Sequence, residues 1–270
     1  MSNEITYELL RFRTRDGGDT TVYLVRHPLR TTRVTIHCFD APTRLDHWCA
    51  ANRRPEAIVA GFFVRDPYRP LGEVRLNGRT LPHEPVEAPW TTARSCVHAD
   101  ELGVTLAPRD AFGAEPHGDL VQAGPLLVHD GEVVVEGHDR EGFSAGSSQF
   151  DSDITVGRYP RCALGVGDGE LLAVCCDGRR SGVDAGLELG ELARLLISFG
   201  AHEAISLDGG GSSTLVHRGH LLNRPYSNDD QPARVAPRPS PRCCSTAPDR
   251  AACRSSRWSG RTPGPLTSVR

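Results

Sequence analysis

Only one stretch of this chain carries a helical apolar period, and that scarcity constrains its fold more than any other property. Leu189, Leu192, Leu196 and Phe199 recur at helical spacing over residues 186–199, and Gly200 supplies the stop. The other apolar segments are short and bounded by Gly, Pro and Asp-Gly turns, at residues 5–12, 21–25, 31–39, 57–64, 103–106, 118–121 and 132–135. Residues 162–166 and 171–176, separated by a Gly-Asp-Gly turn, form the clearest hairpin. A further strand at 202–207 precedes a second hairpin, 214–217 with 220–222, around Arg218-Gly219. The expectation is an α+β fold in a single domain: a mixed, mostly antiparallel sheet system with few helices and its motif loops gathered at one end of the strands.

Composition removes several chemistries. All 31 basic residues are arginine, so catalysis through a lysine Schiff base and a Walker-type phosphate loop are both excluded. The nine cysteines contain no C-x-x-C pair, which argues against a cysteine zinc site or a thioredoxin-type motif. Cys162, Cys175 and Cys176 lie in apolar runs and read as buried thiols. Residues 1–10 lack a basic start and an apolar stretch of leader length, and no later run approaches the roughly 18 residues of a membrane span. A soluble, cytoplasmic protein without a membrane partner is expected.

Charge divides the chain near residue 232. From Ala233 onward there are eight arginines and one acid, Asp249, a balance of +7 that leaves −10 for residues 1–232 of the total −3. Residues 1–232 read as the folded unit, whereas 233–270 is an Arg/Pro/Ser-rich tail with too little apolar surface to offset ordering entropy. Three readings of that tail stand beside one another: an out-of-frame translation of GC-rich DNA, an unstructured extension, and a basic arm in which Trp258 would stack on nucleic acid. No nucleic-acid partner is expected for the folded unit.

The most informative stretch is Asp208-Gly209-Gly210-Gly211-Ser212-Ser213, an acid at a strand end followed by three glycines and two hydroxyls. Without Cβ atoms, such a loop can reach positive φ, approach a ligand closely and offer N–H groups to an anion. A second acid-bearing loop, Asp177-Gly178-Arg179-Arg180-Ser181-Gly182, also ends an apolar strand. Its guanidinium groups suit phosphate through forked, charge-assisted hydrogen bonds. Each loop alone is also compatible with a solvated turn. Asp177 and Asp208 are of the type that holds a hard cation, but no ligand spacing enforces a metal, and no cofactor is expected.

These loops belong to an ordered set. Pro160-Arg161-Cys162-Ala163-Leu164-Gly165-Val166, then Asp177-Gly178-Arg179 with Ser181-Gly182, Leu207 through Ser213, and Asn223-Arg224-Pro225 resemble the motifs of the phosphodiester glycosidase family. Upstream, Gln122-Ala123-Gly124-Pro125 with Asp130-Gly131, and the apolar strand ending in Gly61-Phe62-Phe63, resemble two further motifs, so the likeness runs over about residues 55–230. Two departures stand out: Val59-Ala60 replaces the family's Asn-Gly, and after Gln231-Pro232-Ala233-Arg234 the family's closing apolar strand is missing.

The resemblance implies a hydrolase that cleaves the glycosidic bond of a sugar-1-phosphodiester, releasing free sugar and a phosphomonoester. Asp208 would be the leading catalytic carboxylate and Asp177 the second. Arg179 and Arg161 would bind phosphate, Gly209, Gly210, Gly211, Ser212 and Ser213 would supply donors, and Gln122 and Asn223 would join the substrate contacts. A departing phosphomonoester is a weak base, so charge stabilisation matters more than proton donation, with each preorganised donor worth about 3 to 4 kcal/mol. Two rivals remain: a non-catalytic carbohydrate or phosphate binding module of the same fold, and a phosphodiesterase that cuts on the phosphorus side.

Overall fold

The hairpin of Arg161–Gly167 and Glu170–Cys176 is buried along nearly its whole length, and it forms the middle of a seven-stranded sheet. Beyond Glu170–Cys176 lie Asp19–Pro28 and the edge strand Thr6–Arg13. Beyond Arg161–Gly167 lie Glu203–Ser206, Leu126–His129 and Glu132–Val133. Every neighbouring pair in this sheet is antiparallel. The computed structural model describes residues 4–41, 43–65, 67–136, 139–143, 154–225, 244–246 and 267–269.

Alternation along these strands explains why both faces are apolar. Cys162, Leu164, Leu171, Ala173 and Cys175 point to one side with Tyr23, Val25, Ile205 and Leu207, where Val74, Val97, Leu106 and Val121 meet them from a second sheet. That second sheet has five strands in the order Val104–Pro108, Ser95–Ala99, Asp119–Gln122, Val74–Leu76 and Arg79–Thr80, again all antiparallel. The intervening residues Ala163, Leu172, Val174 and Cys176 point the other way, onto Leu189, Leu192, Ala193 and Leu196 of the helix Leu189–Ser198. A sheet covered on both faces has no use for polar alternation, so its central strands read as continuous apolar runs.

The helix begins with a reciprocal capping box between Glu188 and Glu191 and ends at Gly200, whose φ of +97° favours glycine. A second helix, Leu45–Ala51, packs through Leu45 and Cys49 against Ala57 and Val216. The architecture is therefore the expected α+β fold in one body. Among the described residues, parallel pairing is confined to Thr267–Val269 with Thr32–Val34 and to an isolated bridge between Leu71 and Glu84. Within the tail, Cys244–Thr246 also forms a strand, antiparallel to Ile36–Cys38. The rest of 233–270, and with it the three readings of that segment, lies outside the described residues. Among the described residues no helix is long and apolar enough to cross a membrane.

Candidate active site

Register alone brings the two acid-bearing loops together. Arg161 pairs with Cys176 on one side, and on the other Ala163 pairs with Ser206, so the strands leading to Asp177 and Asp208 both finish at the Arg161 end of the strand between them. The Leu207 N–H donates to Cys162 O at 2.9 Å, and the Asp208 N–H donates to Ala60 O at 2.8 Å, which ties the Gly61-Phe62 segment to the same end. Gly124 N–H to Ser206 O, at 3.0 Å, adds the Gly-Pro motif. Arg224 N–H to Asp177 Oδ1, at 2.7 Å, adds the Asn-Arg-Pro motif. Parts of all six motifs thus meet at one end of the strands.

The two acids differ in surroundings. Asp208 is buried and its Oδ1 accepts the N–H of Gly209 at 2.9 Å. Asp177 is more deeply buried, and both oxygens are engaged: Tyr23 Oη donates to Oδ2 at 2.8 Å while Arg224 N donates to Oδ1. Burial pushes the Asp177 carboxyl above the usual carboxylate range, an effect partly offset by the Arg224 N–H and the Tyr23 hydroxyl. Doubly satisfied, Asp177 is built as a clamp joining three segments, an arrangement unlike an open metal ligand.

The two arginines differ in the same manner. Arg161 is buried, and its guanidinium donates to three backbone carbonyls: Leu187 at 3.2 Å, Ile154 at 2.9 Å and Gly157 at 3.2 Å. Arg179 is half-buried, adopts a φ of +57°, and brings its terminal nitrogens to 3.1 Å from where a Cβ on Gly210 would sit. Its guanidinium therefore lies directly over the glycine loop.

Most of that loop's amides are turned into the protein. Gly209 N–H goes to Asp208, Gly210 N–H to Pro160 O at 2.8 Å, Ser212 N–H to Gly209 O at 3.0 Å and Ser213 N–H to Gly210 O at 3.3 Å. The expected cradle of inward-facing donors is thus a tight turn, Gly210–Ser212, held in shape by its own hydrogen bonds. Gly211 is exposed and Ser212 half-buried, whereas Ser213 is fully buried with no hydrogen-bond partner for its Oγ among the described residues. Asn223 holds the loop from beneath, donating through Nδ2 to Ser213 O at 2.7 Å and accepting the Leu215 N–H at 2.9 Å. Gln122 is likewise engaged by backbone: its Oε1 accepts from Glu73 N and its Nε2 donates to Thr91 O, both at 2.7 Å.

Three residues at this end carried no sequence signal. Tyr23 reaches Asp177 from the adjacent strand. Tyr159 lies beneath both Arg161 and Arg179. Glu141 is buried, accepts the N–H groups of Leu126 at 2.6 Å and Ser95 at 2.8 Å, and stands 2.6 Å from where a Cβ on Gly124 would be. Val59-Ala60 costs the site no backbone contact, because the Ala60 carbonyl still receives Asp208 N–H. At the opposite end of the sheet, His129, Asp130 and Glu203 form an exposed cluster in which His129 Nδ1 is 3.0 Å from Glu203; these groups pair with one another.

A buried acid, a glycine turn and an arginine are thus gathered at one end of the strands of an antiparallel α+β body. Residues 53–239 match the model of the phosphodiester glycosidase family, and the chain belongs to that family. Among solved structures it is similar to the zebrafish N-acetylglucosamine-1-phosphodiester alpha-N-acetylglucosaminidase catalytic domain auto-inhibited by its pro-peptide. The identity is 18%, covering 90% of this chain and 82% of that one, with a TM-score of 0.64. A hypothetical protein from Synechocystis is similar at 19% identity over 90% of this chain and 62% of that one, TM-score 0.57. No curated protein matches the sequence. The family match extends past residue 232, so Gln231-Pro232-Ala233-Arg234 falls inside it.

Proposed function

We propose that the chain hydrolyses the glycosidic bond of a sugar-1-phosphodiester. In this reading Asp208 is the catalytic carboxylate, and Arg179 faces the leaving phosphate. The bond between the anomeric carbon and the phosphate oxygen breaks, the phosphomonoester departs with that oxygen, and water supplies the new hydroxyl of the sugar. Asp208 activates that water or stabilises the positive charge developing at carbon. Arg179 neutralises the charge growing on the departing oxygens.

The observation that carries this reading is the convergence of Asp208 and Arg179 over one glycine turn, on a chain of this family. Asp177, Asn223 and Arg161 enter as positioning residues, because their polar atoms are already committed to backbone and to Tyr23. That commitment also favours the second reading, a binding module of the same fold, since it leaves fewer groups to drive chemistry.

Incubation of the purified protein with sugar-1-phosphodiesters separates the two. Release of reducing sugar that disappears in Asp208→Asn supports hydrolysis, while saturable binding without release identifies a binding module. In oxygen-18 water the label enters the sugar; label in the phosphate would instead mark cleavage at phosphorus.

A further inference from the structure

Tyr159 is fixed by its own backbone. Its N–H donates to Leu187 O at 3.4 Å and its carbonyl accepts the Leu187 N–H at 3.1 Å. A Cβ on Gly186 would fall 2.6 Å from that backbone, and one on Gly157 would fall 3.2 Å from the ring, so two glycines leave room for the tyrosine in this one place. The guanidinium carbons of Arg161 and Arg179 lie 5.4 and 5.1 Å from its ring centroid. Arg161 is tied to three carbonyls and cannot follow a ligand. Arg179 carries its guanidinium over Gly210, and its backbone sits in the left-handed region that ordinary residues avoid. Unfavourable backbone retained at a binding loop points to a side chain whose direction matters.

We infer that Tyr159 is a positioning residue: its ring is the shelf that aims the Arg179 guanidinium across Gly210 at an anionic phosphate group. This rests on the proposed function for the identity of the phosphate as a leaving group, though not for the binding of phosphate itself. A flat aromatic face suits guanidinium because it attracts the cation while leaving the in-plane N–H fork open to an oxyanion. The tyrosine hydroxyl has no part in this, so phenylalanine should serve equally.

The test measures inorganic phosphate binding by titration calorimetry beside turnover of a sugar-1-phosphodiester, for the wild-type chain, Tyr159→Phe, Tyr159→Leu and Arg179→Gln. Expected is a phosphate Kd raised about 3- to 30-fold in Tyr159→Leu, the range a cation–ring contact supplies, with Tyr159→Phe within about twofold of wild type. Arg179→Gln should weaken phosphate at least as much. Unchanged binding in a folded Tyr159→Leu overturns the inference, as does equal weakening in Tyr159→Phe, which would assign the effect to the hydroxyl.

If Tyr159→Leu does not fold, the Arg179 Nε–Hε resonance of the wild-type protein, identified by its loss in Arg179→Gln, decides. A ring-current shift retained in Tyr159→Phe supports the shelf, and its absence removes it. Phosphate binding that follows this pattern in a chain without turnover would sink the hydrolytic reading while leaving the role of Tyr159 intact.

Discussion

The backbone N–H of Arg224 donates to Asp177 Oδ1 at 2.7 Å, so an acid at the end of one core strand holds the loop that closes the motif-bearing part of the chain. Tyr23 Oη occupies the other oxygen, and the carboxylate becomes a joint between three segments. Asp208, the acid on the neighbouring strand end, receives its own Gly209 N–H and faces the glycine turn.

This division predicts opposite phenotypes. Asp177→Asn should lower stability by about 1 to 3 kcal/mol, since one buried donor loses its acceptor, with turnover falling only as the loop loosens. Asp208→Asn should melt near the wild-type temperature and lose turnover by about a thousandfold or more. Thermal melts and reducing-sugar release on the same preparations check both. A stable, inactive Asp177→Asn would restore Asp177 to a chemical role.

Replacing Arg161 removes the donor to three backbone carbonyls at once, that of Leu187 buried and those of Ile154 and Gly157 in part-buried bonds. Arg161→Met should therefore destabilise the fold by about 3 kcal/mol or more, read as a shifted denaturation midpoint. Arg179→Met should move the midpoint less than Arg161→Met and weaken substrate or phosphate binding.

Gly210→Ala tests how closely the arginine approaches. Its φ of +57° disfavours alanine by about 1 kcal/mol, and the new methyl would stand 3.1 Å from both terminal nitrogens of Arg179. Turnover should drop by about tenfold or more as the guanidinium is pushed aside. A fully active Gly210→Ala would show that the site works without that proximity.

Acid sensitivity has a predicted origin at the far end of the sheet. His27 is buried, its Nδ1 has no hydrogen-bond partner among the described residues, and burial, helped by the nearby His217, depresses its pKa to about 3. Unfolding lets it take a proton near its ordinary value of 6.5. The unfolded chain thus binds more protons between about 3 and 6.5, and stability is complete above 6.5 and lost as pH falls through that window. The slope reaches at most about 1.4 kcal/mol per pH unit for this one group. Denaturant midpoints of His27→Leu should decline less between pH 6.5 and 4 than those of the wild-type chain.

Legibility followed burial pattern. The central hairpin and the helix over residues 186–199 were readable because one is apolar on both faces and the other repeats at helical spacing over its whole length. The helix Leu45–Ala51 was not, since seven residues give too short a period and Asp46 and His47 interrupt it. Ser95–Ala99 was missed for another reason: every residue is buried, but Ser95 and His98 look like surface residues in the sequence, where nothing announces that Glu141 takes the Ser95 N–H and that the His117 carbonyl meets the His98 ring. At the site, the residue types were visible and their loads were not. Nothing near Asp177 in sequence announces Tyr23 or Arg224, and nothing near Arg161 announces that its fork faces carbonyls instead of solvent.

The meeting of Ala60, Ser206, Asp208 and Arg224 at one end of the strands has a consequence for how the folded protein comes into being. Their contacts span nearly the whole motif-bearing region, so loop closure between remote segments must precede any functioning geometry. A nascent chain halted before Arg224 could assemble the ladder of central strands yet leave Asp177 without its Arg224 partner. The assembled geometry would then emerge abruptly, with the last motif, and never in graded proportion to length.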